Sequence, residues 1–274
     1  AVWRLLSQTD EVLAEGEGSA TAEPGSNVLI CTVEADLPVV TAVTRLRLVA
    51  ATDRNVANEW PVWVYPVPDA AVWHGVVVWD PSGALAEQRD YYGGLRDATW
   101  LPGWEAPRLV GDARTLLTTG WGEATEAWVA QGGQALLWQP GRGPLPAMGR
   151  PFWREAIKLF EPHPLCDAWQ HGGFSNLQFY GVAADCSIDT ASFLTALAKR
   201  RQVTRTPLLT RLDARNMEVS DYLAYVAVDE GGILVCSLRF GGGLGDQPCG
   251  LAYNVAGQFM LVDSLRWLQE ASRL

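Results

Sequence analysis

The chain has 274 residues, of which 48% are hydrophobic and 19% charged, and its formal net charge is −10. This composition is typical of a folded globular protein with one large domain or two ordinary ones, and it excludes a disordered chain. The acidic balance argues against nucleic acid or anionic membranes as partners, because both attract basic surfaces. No apolar run is long enough to span a bilayer, and no signal peptide is visible.

Residues 1–66 contain short runs of alternating residues that are broken by Gly, Pro, Ser and Asn. The runs AVWRLLS, GSNVLICTVEADLP and VVTAVTRLRLVAAT have the period-two pattern of β-strands. EGEGSATAEPGS is rich in turn residues, and NEWPVWVYPVP ends in two X-Pro steps that predict an extended linker. We therefore predict a small antiparallel β-sandwich for this part of the chain.

Residues 67–274 alternate strand-like and helix-like segments. The predicted strands are HGVVVWD, RTLLTTG, QALLWQ, TPLLTRLD and GGILVCSLRF. The predicted helices are WGEATEAWVAQ, TASFLTALAKR and a closing segment in which Val255, Phe259, Val262 and Leu265 recur at helical spacing. VSDYLAYVAVD is interpreted as a helix or a bent segment. The alternation predicts an α/β fold with right-handed crossovers and a doubly wound, mostly parallel sheet.

The stretch from Phe152 to Asp185 combines large rings with hydrogen-bonding groups, and a short helix is predicted at its start. Cys166 lies between His163 and His171 in sequence, and a cysteine nucleophile typically needs a His or a helix N-terminus nearby to stabilise its thiolate. The competing interpretation is a packed thiol in a turn. A recognition surface is the favoured reading of the stretch, and a reaction centre is the alternative.

Signatures of other catalytic, metal or cofactor sites are weak. There is no GxSxG motif, no local pattern marks a pair of catalytic carboxylates, and GGGLGD at 241–246 lacks the spacing and the lysine of a phosphate loop. The cysteines form no pair with metal-binding spacing and are interpreted as isolated thiols: Cys31, Cys166, Cys186, Cys236 and Cys249. We therefore predict no metal, no cofactor and no enzymatic activity for the chain.

The thirteen tryptophans are the main compositional excess. Trp121, Trp138 and Trp169 follow or end predicted strands or lie between them, and ligands of α/β sheets collect beyond the carboxyl ends of strands. Their rings could therefore converge on a cleft and stack on sugar rings, or each could fill a gap between helix and sheet. The predicted carbohydrate contacts are Trp121, Trp169 and His171, followed by Trp100, Trp104, Trp153 and Gln178.

Several segments, in the same order, carry a resemblance to a known family. They are NEWPVWVYP, GGQALLW, PFWREAIKLFEPHPL, QHGGFSNLQFYG, RLDAR and GGILVCSLRFGGGLGDQP. Together they resemble the C-terminal region of glycoside hydrolase family 2 proteins, which are β-galactosidase- or β-mannosidase-like. The resemblance implies an Ig-like β-sandwich over 1–66 and a flavodoxin-like, class I amidotransferase-like domain over 67–274.

The same resemblance implies that the chain is catalytically inactive. The catalytic glutamates of the family lie on a barrel that this chain does not contain. The amidotransferase fold places a nucleophilic cysteine on an elbow after a central strand, whereas QALLWQ here continues into Pro140, Gly141, Arg142 and Gly143.

These observations predict a non-catalytic carbohydrate-binding accessory module of a larger enzyme of polysaccharide degradation. Its partners would be a β-linked polysaccharide or oligosaccharide and the catalytic barrel of the parent enzyme, with a homo-oligomer as a further option. The first alternative is a structural or oligomerisation domain without glycan binding, and the second is an independent hydrolase, for which we expect no activity. The chain opens at Ala1 without Met, which predicts a piece of a longer protein. Its compartment is open, with a secreted or periplasmic one slightly favoured.

Overall fold

The computed structural model describes residues 1–54, 56–89, 92–101, 115–150 and 156–272. By their internal contacts the residues form two compact units, Ala1–Val67 and Pro68–Leu274. Within the described ranges, no helix combines the length and the apolar character that crossing a membrane requires.

The first unit contains a single antiparallel sheet. Its strands are β1 (Val2–Leu6), β2 (Val12–Glu17), β3 (Thr44–Ala51) and β4 (Ala57–Val64), in the spatial order β2-β1-β3-β4. The predicted strands at AVWRLLS and within VVTAVTRLRLVAAT are confirmed. NEWPVWVYPVP was predicted as a linker, but most of it is β4. Because β4 is an edge strand, it tolerates Pro61, which has no N–H for the ladder.

The strand predicted at GSNVLICTVEADLP is wrong, because residues 26–40 have no regular secondary structure. Ala35 and Val40 of this run pack against a small core of Leu5, Leu46 and Val64. Other apolar residues of the run are exposed. Irregular chain therefore covers the apolar face of the sheet, and the described part of this unit contains one sheet and not two packed sheets.

The second unit is a mixed α/β structure. Its strands are β5 (Val76–Trp79), β6 (Thr99–Trp100), β7 (Thr115–Thr118), β8 (Gln134–Trp138), β9 (Ala147–Gly149), β10 (Ala156–Phe160), β11 (Cys186–Ile188), β12 (Val203–Asp213), β13 (Glu218–Val228) and β14 (Gly231–Cys236). Its helices are α1 (Ala84–Arg89), α2 (Gly93–Asp97), α3 (Glu123–Ala130), α4 (Pro164–Asp167), α5 (Thr190–Leu197) and α6 (Val255–Ala271). Short 3-10 helices occupy Ala70–Gly75, Leu177–Val182 and Leu251–Tyr253.

One large sheet organises the second unit, in the order β10-β12-β13-β14-β8-β7-β5-β6. The strands from β14 to β6 are parallel, and β13, β12 and β10 add an antiparallel flank. Strand β11 pairs with both β13 and β9. Every residue of β5, β7, β8 and β14 is buried, which is typical of parallel strands covered on both faces. The predicted α/β class is confirmed, whereas the sheet is mixed.

The predicted helices at WGEATEAWVAQ, TASFLTALAKR and the chain end are confirmed as α3, α5 and α6. Side chains from α3 and α5 share a core cluster with Val77, Leu116 and Leu137 of the sheet. Successive side chains of a strand point to opposite faces, so Val78, Leu117 and their neighbours point to the other face. Helix α6 contacts β7 and β8.

One segment predicted as a helix or a bent segment is a strand. VSDYLAYVAVD forms β13, which pairs with β12 on one side and β14 on the other. Its residues are apolar almost throughout, so no periodicity separated a buried strand from a buried helix. The short helix predicted at the start of the Phe152–Asp185 stretch falls partly on 151–155, outside the described residues, and continues into β10.

Candidate functional site

The order of the parallel strands reverses between β5 and β7. From β5 the chain moves to β6 on one side and then returns to β7 on the other side of β5. Ligands of open α/β sheets bind in the crevice outside the carboxyl ends of the strands at such a point. The carboxyl edge of β5, β7, β8 and β14 is therefore the candidate site.

Polar groups fill the edge at this reversal. Asp80 follows β5, and its Oδ1 accepts hydrogen bonds from the hydroxyls of Thr119 at 2.6 Å and Ser82 at 3.2 Å. Its Oδ2 accepts from the Ala86 amide at 2.8 Å, within the first turn of α1. Both carboxylate oxygens thus hold the turn between β5 and α1, which fixes the shape of the crevice.

The predicted contact Trp121 lies next to this turn, three residues after the last residue of β7. Its ring is partly buried and packs edge-on against Phe193 of α5, with centroids 5.5 Å apart. Close packing continues at Gly120, where a Cβ atom would lie 2.7 Å from the Trp79 ring and 2.5 Å from Pro81. Trp121 is therefore at the predicted edge, with one side of its ring committed to the core.

The side chain of Gln139, the first residue after β8, holds the following loop in place. Gln139 is buried, and its Nε2 donates to the carbonyls of Gly141 at 3.2 Å and Leu145 at 2.9 Å. Its Oε1 accepts from the Leu145 amide at 3.0 Å. The side chain is thereby used entirely in holding the loop.

A glycine-rich loop leaves β14 at the same edge and leads to the N-terminus of α6. Gly242, Gly243 and Gly245 have φ values of 72°, 80° and 62°, a left-handed conformation that favours glycine. The Leu251 amide donates to Gln88 Oε1 at 3.0 Å, which joins the end of this loop to α1. The loop therefore connects a strand to a helix, although its sequence lacks phosphate-loop spacing.

Trp169 is not an exposed ring, and the expectation that it belongs to an exposed platform is wrong. The side chain is 0% exposed, and its Nε1 donates to Asp263 Oδ2 of α6 at 3.0 Å. Gln178, another predicted contact, is also buried, and its Nε2 donates to the Trp169 carbonyl at 3.1 Å. Burial raises the pKa of Asp263. These side chains join the Phe152–Asp185 stretch to α6.

Trp138 is likewise a core residue. It is buried at the end of β8, donates from Nε1 to the Leu238 carbonyl at 2.7 Å and stacks on Phe240 with centroids 6.1 Å apart. The convergence of Trp121, Trp138 and Trp169 on one open cleft is therefore not observed.

His171 is partly buried in the Phe152–Asp185 stretch. Its ring stacks on Phe160 with centroids 4.4 Å apart, and its Nδ1 accepts from the Gly173 amide at 3.0 Å. Nε2 is buried and has no hydrogen-bond partner among the residues that the structure describes. Burial lowers the pKa of the imidazole, so the neutral form is favoured.

His163 and Cys166, in the same stretch, also have packing roles. His163 caps α4 by accepting from the Leu165 amide at 3.2 Å, and its ring lies edge-on against Trp267. Cys166 is fully buried, and burial raises the pKa of its thiol to about 12. A thiol in this environment stays protonated at neutral pH, which argues against a nucleophile.

The remaining predicted contacts are dispersed. Trp100 is partly buried on β6, donates from Nε1 to the Leu95 carbonyl at 2.6 Å and has the Arg89 guanidinium 5.0 Å above its ring. Trp104 and Trp153 lie outside the described residues.

Two exposed rings at the edge escaped the sequence analysis. Tyr180 and Tyr253 are 50% and 64% exposed. Their backbones are adjacent, because Asn254 Nδ2 donates to the Gly181 carbonyl at 2.7 Å. Gln247, in the glycine-rich loop, donates to the Tyr180 carbonyl at 3.4 Å. No local pattern in the sequence marks these two rings. The proximity of GGGLGD to QFYG depends on a contact between residues that are distant in sequence.

The comparisons with known proteins concern mainly the first unit. The family model described as a domain of unknown function, DUF8488, matches residues 1–66. No curated protein and no solved structure matches the chain. The match covers β1 to β4 and carries no statement of function. Among the described residues, no group of three or more His, Cys, Asp or Glu side chains is arranged to hold a metal ion.

Proposed function

We propose that this chain is a non-catalytic accessory module of a larger glycoside hydrolase family 2 enzyme and that it recognises a β-linked glycan. In this proposal the second unit is flavodoxin-like and related to class I amidotransferases, whereas the single described sheet of the first unit lacks the second sheet of an Ig-like sandwich. The parallel strands with a reversal at β5 and β7 support the assignment of the second unit.

The side chain of Gln139 carries the non-catalytic part of the proposal. Gln139 begins the segment after β8, where an amidotransferase-like fold has its nucleophile elbow. Its side chain makes three hydrogen bonds within the loop. Cys236 ends the neighbouring strand β14, and burial raises the pKa of its thiol to about 12. Neither side chain offers a nucleophile at neutral pH.

Tyr180 and Tyr253 support glycan recognition. Both rings are exposed at the carboxyl edge, and exposed aromatic faces stack on the apolar faces of pyranose rings. Asp80, Thr119 and Ser82 lie at the same edge and provide polar groups for hydroxyls. We propose Tyr180, Tyr253 and Trp121 as contacts, with Trp169 and Gln178 supporting the edge from within.

Calorimetry with soluble xylan, mannan, glucan and galactan oligosaccharides tests the proposal. We expect one series to bind and the Tyr253→Ala variant to weaken its Kd about tenfold, the loss expected from one stacked ring. Trp60→Ala is the matched control, because Trp60 is an exposed ring in the first unit and should leave Kd unchanged. Absence of binding in all four series would overturn glycan recognition, as would full affinity in Tyr253→Ala and Trp121→Ala.

A structural function is the second candidate, favoured by exposed apolar side chains in the first unit. Leu29 and Val39 are 81% and 97% exposed within residues 26–40. Contiguous exposed apolar residues commonly mark contact surfaces. In this alternative the chain contacts the catalytic barrel or another copy and binds no glycan. Sedimentation velocity should then show a defined oligomer or a complex with the barrel, whereas a monomer that binds neither would exclude it.

A further inference from the structure

Hydrogen-bond donors without acceptors gather on the antiparallel flank of the second unit. Arg211 of β12 lies directly opposite Ser220 of β13. The Arg211 side chain is 1% exposed, and its Nη1 donates to Asp213 Oδ2 at 2.8 Å, while its Nε has no partner among the described residues. The hydroxyl of Ser220 is buried and also has no partner in the described ranges. Two unsatisfied polar groups are thus neighbours across the two strands.

A second guanidinium reaches the same part of the flank. Arg150 Nη2 lies 2.9 Å from Glu218 Oε1, and its buried Nε has no partner within the part of the chain that the structure describes. Glu218 is directly opposite Asp213, which holds Arg211. The two neighbouring carboxylates therefore bring the two guanidinium groups to the same end of the hairpin.

Tyr222 adds a buried hydroxyl to this group. It is 1% exposed, lies two residues after Ser220 on β13, and its hydroxyl proton has no acceptor among the described residues. Burial raises the pKa of Tyr222 to about 12, and Arg211, through its charge and its hydrogen bonding to the hydroxyl, and the charge of Arg150 act in the opposite direction. Both guanidinium groups are therefore close enough to interact with this hydroxyl.

All four groups carry a hydrogen-bond donor. Arginine Nε can only donate a hydrogen bond, whereas each hydroxyl can donate one and can also accept. Buried donors are almost always satisfied, because a donor without an acceptor destabilises the folded state. A ligand with several acceptor oxygens and a negative charge would satisfy these donors together, and guanidinium edges fit such oxyanions well.

We propose that Arg150, Arg211, Ser220 and Tyr222 form a binding site for a small oxyanion, either a free ion or the phosphate, sulfate or carboxylate group of a larger ligand. The site is independent of the proposed glycan contacts and shares no residue with them. It also stands out in a protein of net charge −10, whose surface would otherwise repel anions.

Titration of the full chain with sodium sulfate, sodium phosphate and sodium acetate tests the site. Sodium chloride keeps the ionic strength constant, and calorimetry and the thermal midpoint are the measurements. We expect saturable binding of at least one of these ions with a rise in Tm, and the preferred ion distinguishes a tetrahedral from a planar group. Shifts that match sodium chloride alone for all three ions would overturn the proposal.

The Tyr222→Phe variant tests the assignment of the residues. It removes only a hydroxyl whose proton has no acceptor among the described residues, so the ligand-free Tm should change little. Its affinity for the binding ion should fall about tenfold, the loss expected for a hydrogen bond to a charged group. Arg150→Gln is the second variant and should weaken binding at least as much.

Tyr225→Phe is the control in the same strand. The Tyr225 hydroxyl already donates to Gln134 Oε1 at 3.0 Å, so its loss should lower Tm and leave anion affinity unchanged. Anion affinity equal to that of the parent chain in both Tyr222→Phe and Arg150→Gln would overturn the site. So would a crystal structure grown with sulfate that shows only water among the four groups.

Discussion

The two units of the chain solve the problem of burying a sheet in different ways. In the first unit, one antiparallel sheet packs a core of Leu5, Leu46 and Val64 under irregular chain. In the second, four parallel strands are buried along their whole length, and an extended cluster joins strands and helices on one face. Small cores bury a smaller share of their chain, so the first unit should be the less stable one.

The largest expected effect comes from removing a core leucine in each unit. Leu136→Ala, in the middle of β8, should lower the free energy of unfolding by about 4 kcal/mol, because tightly packed surroundings cannot collapse into the cavity. Leu46→Ala, in β3, should cost about 2 kcal/mol, because irregular chain can shift to fill part of the space. Urea denaturation measures both losses. Equal losses would contradict the expected difference in packing between the two units.

A smaller effect is expected from a buried ion pair of the second unit. Glu126 is buried in α3 and accepts from Arg200 Nε at 2.7 Å and from Arg201 Nε at 3.2 Å. Glu126→Gln should lower the free energy of unfolding by about 2 kcal/mol at pH 7. This loss is smaller than that of a fully buried pair, because solvent screens the partly exposed arginines. The matched change Glu15→Gln, in an exposed pair with Arg4 of the first unit, should have no measurable effect.

The same pair predicts a dependence on pH. Hydrogen bonding to Arg200 lowers the pKa of Glu126 below its ordinary value. Its contribution is therefore fully present above the unfolded-state pKa, about 4.3, and is lost as the pH falls through the folded-state pKa. The stability difference between the parent chain and Glu126→Gln should shrink in acid. A difference that stays constant from pH 7 to pH 3 would contradict the assignment.

The contribution of Asp263 to stability should depend on pH with the opposite sign to that of Glu126 and with a smaller magnitude. Burial raises its pKa, so folding favours the protonated form, and its contribution is present at low pH and lost as the pH rises through the folded-state pKa. Asp263→Asn keeps an acceptor for the Trp169 N–H and removes the buried charge, so it should gain up to about 1 kcal/mol at pH 7. Denaturation at pH 7 and pH 3 measures this, and a clear loss at pH 7 would show that the ion pair with Arg266 dominates.

The smallest effect is expected on the exposed apolar run of the first unit. Leu29→Ser should change the free energy of unfolding by less than about 0.5 kcal/mol, because the side chain is already in water. A loss above about 1 kcal/mol would mean that residues 26–40 belong to a core, which would weaken the contrast between the units.

The sequence predicted those elements whose signals are local. The buried runs of β5, β7, β8 and β14 and the helical spacing of α6 need no tertiary information. Strand β13 was missed because a run of apolar residues fits both periods. The run at residues 26–40 has a strand pattern, but no neighbouring strand pairs with it in the described residues.

The candidate site was predictable in its location and less so in its residues. Trp121 lies at the carboxyl edge because it comes three residues after the end of a strand, which sequence order alone shows. The burial of Trp169 depends on Asp263, which is 94 residues further along the chain. The proximity of Tyr180 and Tyr253 depends on the contact between Gly181 and Asn254, which are 73 residues apart.

The cysteines differ in their exposure, so the glycine-rich loop can be labelled selectively through a thiol. Burial raises the pKa of Cys166 and of Cys236 to about 12, so these two thiols should resist alkylation at neutral pH. Cys249 is exposed, and its sulfur lies 3.1 Å from the position that a Cβ of Gly243 would occupy. With the partly exposed Cys31 changed to serine, a maleimide dye would attach at this loop and report ligand binding by fluorescence.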